Sequence, residues 1–127
     1  MSAEVFVSYA RVNRERVVQL VERMRSAGVG VWIDEGGIHG ASLWGQEIVD
    51  AIETSKVMVL MLSDASIISD NVVKELSIAS EDKKPILPVY LHQTEIPKSM
   101  RYQLAGIHHI EYFEGNEDAA FRSMCVA

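Results

Sequence analysis

The sequence predicts an α/β domain, a five-stranded parallel sheet with helices on both faces. Three observations carry that expectation. Short apolar runs and helical patterns alternate five times along the chain, and no Asn-Gly type hairpin turn joins two of the strands. The run Val57 to Leu62 is apolar at every position, as a strand covered on both faces must be.

The elements follow in order. Glu4 to Tyr9 reads as a short first strand. Val17, Leu20, Val21 and Met24 then recur at helical spacing within Val12 to Ala27, beneath an outer face of arginines, and Gly28 stands where a helix ends on a left-handed residue. Val29 to Ile33 forms the second strand and runs into a segment with glycines at 36, 37 and 40, which predicts a mobile loop. Ser42 caps a helix reaching Thr54, with Ile48, Val49 and Ile52 on its buried side. Val57 to Leu62, the third strand and expected centre of the sheet, is far short of the roughly 20 apolar residues that span a bilayer. After a polar break, Ser69, Asp70 and Asn71 each offer an N-cap to a helix whose apolar stripe is Val72, Leu76 and Ala79. Ile86 to Leu91 gives the fourth strand, in which Pro88 requires an edge or a bulge. A polar loop to Pro97 and a helical turn from Ser99 to Leu104 lead to the fifth strand, His108 to Tyr112, and a helix from Asn116 to Met124 closes the chain.

With 127 residues, 48% of them hydrophobic, the chain has apolar material for one core and one domain. Eighteen acids against 12 Lys+Arg give a formal charge of -6, a field that repels phosphate backbones and anionic lipid, so neither nucleic acid nor a membrane surface is an expected partner. Cys125 is the only cysteine, which leaves no internal disulfide and suits a reducing compartment. No secretory signal pattern opens the sequence, so a cytoplasmic location is expected. The first strand begins close to Met1 and the last helical pattern runs almost to Ala127, as in a domain cut from a longer protein that carries a sensor elsewhere, with a naturally small protein as the alternative.

Several chemistries are disfavoured by spacing. Gly28-Val29-Gly30 opens a strand where a dinucleotide fingerprint closes one, and the third glycine is missing. Asp64 follows the third strand as a phosphoacceptor would, but Ser8-Tyr9-Ala10-Arg11 supplies no further acids for Mg²⁺. His39, His92, His108 and His109 have no zinc spacing, so no metal is expected, although His39 in the glycine loop is placed to meet a partner or ligand. Without a nucleophile elbow or a Cys and His pair, a carboxylate is the reactive group left to consider. Glu75 is the candidate. It lies roughly 60° off the middle of its helix's apolar stripe, on the border between core and solvent. That helix follows a buried strand, where open parallel sheets bind ligands. A solvated acid favoured by the helix dipole is the competing reading of the same residue.

Five segments follow one another with matching gaps: Phe6-Val7-Ser8-Tyr9; Val31-Trp32-Ile33-Asp34; Gly40-Ala41-Ser42-Leu43-Trp44 before a helix with Ile48 and Ile52; Val59 to Ser63; and Val72 to Ala79. Together, from Val5 to about Phe121, they resemble the Toll/interleukin-1 receptor (TIR) domain, in particular its bacterial NAD+-cleaving branch. The resemblance implies a flavodoxin-like three-layer sandwich. It implies cleavage of NAD+, as substrate rather than cofactor, at the nicotinamide N-glycosidic bond, with Glu75 catalytic and Tyr9, Arg11, Asp34, Trp44 and Asn71 around the nucleotide. It identifies Asp34 to Ala41 as the loop through which TIR domains assemble, and it implies a sensor domain in the same or a partner chain and a role in prokaryotic immunity. Some active members carry tryptophan one helical turn before the glutamate, where this chain has Asn71. Two other expectations stand beside this one: a non-catalytic TIR–TIR interaction module in which Glu75 is a surface acid, and a deoxyribosyltransferase-like enzyme acting on free nucleosides.

Overall fold

The computed structural model describes residues 4–33, 41–104, 106–107, 109–113, 115 and 117–126, the side chains at 41–45, 47, 99 and 123–126 excepted. Asp34, His39 and His108 lie outside the described residues, as does the glycine loop apart from the backbone of Ala41. The strands are β1 (Val5–Ser8), β2 (Val31–Ile33), β3 (Val57–Leu62), β4 (Ile86–Tyr90) and β5 (Ile110–Glu111). Between and after them run α1 (Arg14–Ser26), α2 (Ala41–Thr54), α3 (Asp70–Glu81), α4 (Lys98–Leu104) and α5 (Glu117–Val126). Single 3-10 turns at Arg11–Asn13 and Ser66–Ile68 follow β1 and β3.

All neighbouring strands pair in parallel, in the order β2-β1-β3-β4-β5. The chain winds first one way and then the other from β1, so the crevice at the carboxyl ends of β1 and β3 lies between divergent connections. Side chains alternate across the sheet. Val5, Val7, Val59, Met61 and Val89 join Val17, Leu20, Val21 and Met24 of α1 and Ala120 of α5 in one core layer. Phe6, Met58, Leu60 and Leu62 join Ile48 and Ile52 of α2, Val72, Leu76 and Ala79 of α3, and Met100 and Leu104 of α4 in the other. The expected five-stranded parallel sheet with helices on both faces is the observed architecture.

Three local differences have physical causes. β2 starts at Val31 rather than Val29 because Gly28, at φ +89°, and Val29 are still ending α1: their amides donate to Arg25 and Met24 carbonyls, each at 3.0 Å. The second helix starts at Ala41, one residue before the expected cap, so Ser42 lies inside its first turn. Pro88 sits neither on an edge strand nor, in the register observed, at a bulge: β4 is flanked on both sides and Leu60 pairs with Pro88 directly. The Met58 amide bonds the Pro85 carbonyl and the Leu91 amide bonds the Leu62 carbonyl, so odd-numbered residues of β4 point to β3. Pro88 therefore faces the β5 side, where pairing begins only at Val89 with Ile110, and its missing N–H breaks no ladder bond.

The far end of the sheet is held by Arg16 on α1. Its guanidinium donates to the backbone carbonyls of Leu91 and Tyr112, the latter at 2.6 Å, and lies 5.8 Å from the Tyr112 ring centroid. Arg16→Met keeps much of the stem but leaves both carbonyls without that donor, and a loss of about 2–3 kcal/mol is expected in urea unfolding. Arg16→Lys should recover only part of it, because an ammonium cannot reproduce the fork.

Tyr90 and Tyr112 give the domain an alkaline limit. Burial raises the Tyr90 phenol above its usual 10.0, with Glu111 adding to it; burial also raises Tyr112, against the opposing charge of Arg23. Each folded phenol holds its proton more tightly than the unfolded one, so its contribution to stability is complete below about pH 10 and is lost as pH rises through the folded value. Denaturant midpoints are expected to fall above pH 10, and less steeply in Tyr112→Phe.

Candidate active site

Strand alternation decides what the end of β1 presents to α3. Phe6 packs with Val72, Leu76 and Ala79, and Ser8, two residues further on, faces the same way. Ser8 is fully buried and pairs in register with Leu60 of β3. From the other side, Ser69 caps α3 by accepting the Val72 amide at 3.4 Å, which sets where the helix begins and so where Glu75 falls. The two meet: the Ser8 hydroxyl donates to Oε1 of Glu75 at 2.7 Å.

Glu75 is consequently buried, 6% exposed, rather than on the border where the helical wheel puts it. The end of β1 covers it, a contact across 67 residues of sequence that the local pattern of α3 does not contain. It still lines a cleft of about 210 Å3, together with Val7, Tyr9, Arg11, Ser69 and Asn71. The structure thus brings four of the expected site residues, Tyr9, Arg11, Asn71 and Glu75, around one space. Asn71 is one helical turn before Glu75, on the same flank of α3. Arg11, exposed on the turn after β1, is the lone cation among the described lining residues. Of the remaining two, Asp34 is outside the described residues and Trp44 lies on α2 without a described side chain.

The walls are tied together by serines. Ser63 donates to the Asn13 side chain at 2.6 Å and receives the Ser66 amide at 3.0 Å, while Ser66 receives the Ser63 amide at 2.8 Å. These bonds link the 3-10 turn that carries Arg11 to the one that leads into Ser69. Val12 and Ile68, 78% and 79% exposed, lie next to those lining residues in sequence. Among the described residues no three His, Cys, Asp or Glu side chains group as metal ligands, and no helix is long and apolar enough to cross a membrane.

The family profile described as TIR domain matches residues 5–125. The chain belongs to the TIR domain family. No curated protein matches it. Among solved structures, it is similar to the TIR domain of the Toll-related receptor TRR-2 from Hydra magnipapillata, at 21% identity over 98% of this chain and 96% of that one, with a TM-score of 0.81. The TIR domains of the Roq1 resistosome, which recognises the pathogen effector XopQ, align at 16% identity over 98% of each chain, with a TM-score of 0.77. A CMP N-glycosidase of Clostridium botulinum, BcmB, aligns at 14% identity over 96% of this chain and 97% of that one, with a TM-score of 0.71. At these identities the likeness is one of fold.

Within this TIR domain, the residue that sequence reasoning did not single out is Ser8. The signal was available: Ser8 shares its strand face with Phe6, a core residue, and ends the strand at the level where α3 begins. A polar side chain at a core parity position needs a partner, and Glu75 supplies it.

Proposed function

We propose that this TIR domain is an NAD+ nucleosidase, releasing nicotinamide and leaving ADP-ribose or a cyclic isomer, activated by self-assembly and acting in the cytoplasm as an effector of prokaryotic immunity. The observation that carries the reading is the Glu75 carboxylate, buried yet lining a cleft that also holds Arg11 and Asn71. As the bond from C1′ to the pyridinium nitrogen breaks, its electron pair goes to the ring, so nicotinamide leaves neutral and needs no acid. The cost lies in the oxocarbenium-like sugar, whose positive charge a fixed carboxylate stabilises strongly where water is largely excluded. Water then attacks C1′ and loses a proton to solvent, or an internal group of the same nucleotide attacks instead. Arg11 is suited to phosphate and Asn71 to a ribose hydroxyl or carboxamide.

A cleft of about 210 Å3 is small beside the roughly 300–1,000 Å3 of ordinary ligand sites. That supports a pocket completed when another copy packs through the Asp34 to Ala41 loop, so activity per molecule should rise with concentration. The test is chromatography of NAD+ incubated with dilute and with bead-clustered protein, beside Glu75→Ala. Nicotinamide release that grows on clustering and vanishes in the variant is expected. Release that is flat across concentration would overturn the assembly step, and release retained by Glu75→Ala would overturn the site.

The same small volume, with the likeness to a CMP N-glycosidase, favours a second reading, cleavage of a mononucleotide by the same carboxylate. CMP and free nucleosides belong in the assay for that reason. Base release from them without NAD+ cleavage selects this reading, and no release from any substrate under clustering selects an interaction module.

A further inference from the structure

We infer that Ser8 is a positioning residue for the reaction, holding the Glu75 carboxylate in one orientation through the hydrogen bond from its hydroxyl to Oε1. The inference rests on Glu75 being the reacting carboxylate and goes beyond it in naming a contact that sets its geometry. A glutamate's last torsion is broad, and each hydrogen bond to the carboxylate narrows the orientations in which its plane meets the sugar. The Ser8 hydroxyl has a single proton, and at 2.7 Å that proton is given to Glu75. It is well anchored itself, being fully buried and on a strand paired with the central β3 at Leu60. The carboxylate is thus referenced to the rigid sheet as well as to its own helix, and reaction geometry is sensitive to such small displacements. A serine kept only to satisfy a buried group would make the same bond, so the two roles must be separated by kinetics.

Ser8→Ala removes the proton donor, and Ser8→Thr restores a hydroxyl on a β-branched residue suited to a strand. Measured on bead-clustered full chain with NAD+, Ser8→Ala is expected to lose about 10- to 100-fold in kcat with KM within about twofold, the range for one hydrogen bond to a charged group. Ser8→Thr is expected to recover most of that loss. Thermal melting of each variant accompanies the assay, and Ser8→Cys, close in size with a weaker donor, replaces Ser8→Ala if that variant does not fold, with an intermediate kcat expected. Wild-type kcat in Ser8→Ala, or an equal loss in Ser8→Thr at wild-type melting temperature, overturns the inference while Glu75 stands. A Glu75→Gln variant as active as wild type, or wild type that releases no nicotinamide when clustered, overturns the reading beneath it and Ser8's role with it.

Discussion

Glu75→Gln is expected to lower nicotinamide release about 100- to 1,000-fold while leaving the melting temperature within a few degrees of wild type. The amide has nearly the shape of the carboxylate, and its oxygen can still accept the Ser8 proton, so that buried pair stays satisfied. The charge is lost, and one acceptor oxygen becomes an NH2 donor. In a site where Glu75 is 6% exposed, that charge acts on a nearby cation with little screening, and removing one fixed electrostatic contact from such a site typically costs two to three orders of magnitude in kcat. The loss should appear in kcat more than in KM, because the sugar carries its full charge only near the transition state. A variant that keeps more than about a third of wild-type kcat would mean that the carboxylate is not the reacting group.

Leu60→Ala is expected to have the largest effect on stability, about 3–4 kcal/mol, read as a shift of the urea midpoint. Leu60 is completely buried on the central strand and packs in the layer with Phe6, Val72 and Leu76. Ser8 lies beside it on β1 and Pro88 on β4, so neighbours fixed by two ladders cannot easily collapse into the space left behind. For a chain of this length the change corresponds to a fall of roughly 10 °C or more in melting temperature. A change below about 1 kcal/mol would show that the core closes over the gap.

How far the sequence could be read depended on whether an element's determinants were local. β3 runs from Val57 to Leu62, the limits its apolar run predicts, because burial on both faces leaves one unbroken signal. Among the described residues β5 is only Ile110–Glu111, shorter than the expected His108 to Tyr112, because it pairs with β4 only opposite Val89 and Tyr90. At the site, the helical wheel correctly places Glu75 beside the stripe of Val72, Leu76 and Ala79 and misses its burial, since the covering atom belongs to Ser8 on another element. The grouping of Tyr9, Arg11, Asn71 and Glu75 likewise comes from β1 and β3 lying side by side, a matter of topology rather than of spacing. Burial classes from a wheel describe one helix against an average neighbour; here the neighbour is a hydroxyl.

Pro88 matters to more than its own strand. On the β5 side of β4 residue 88 has no N–H to donate, so a strand laid there ahead of Ile110 would find its hydrogen-bond template interrupted. A stray strand is therefore poorly matched at that position, beside the short last member of the sheet.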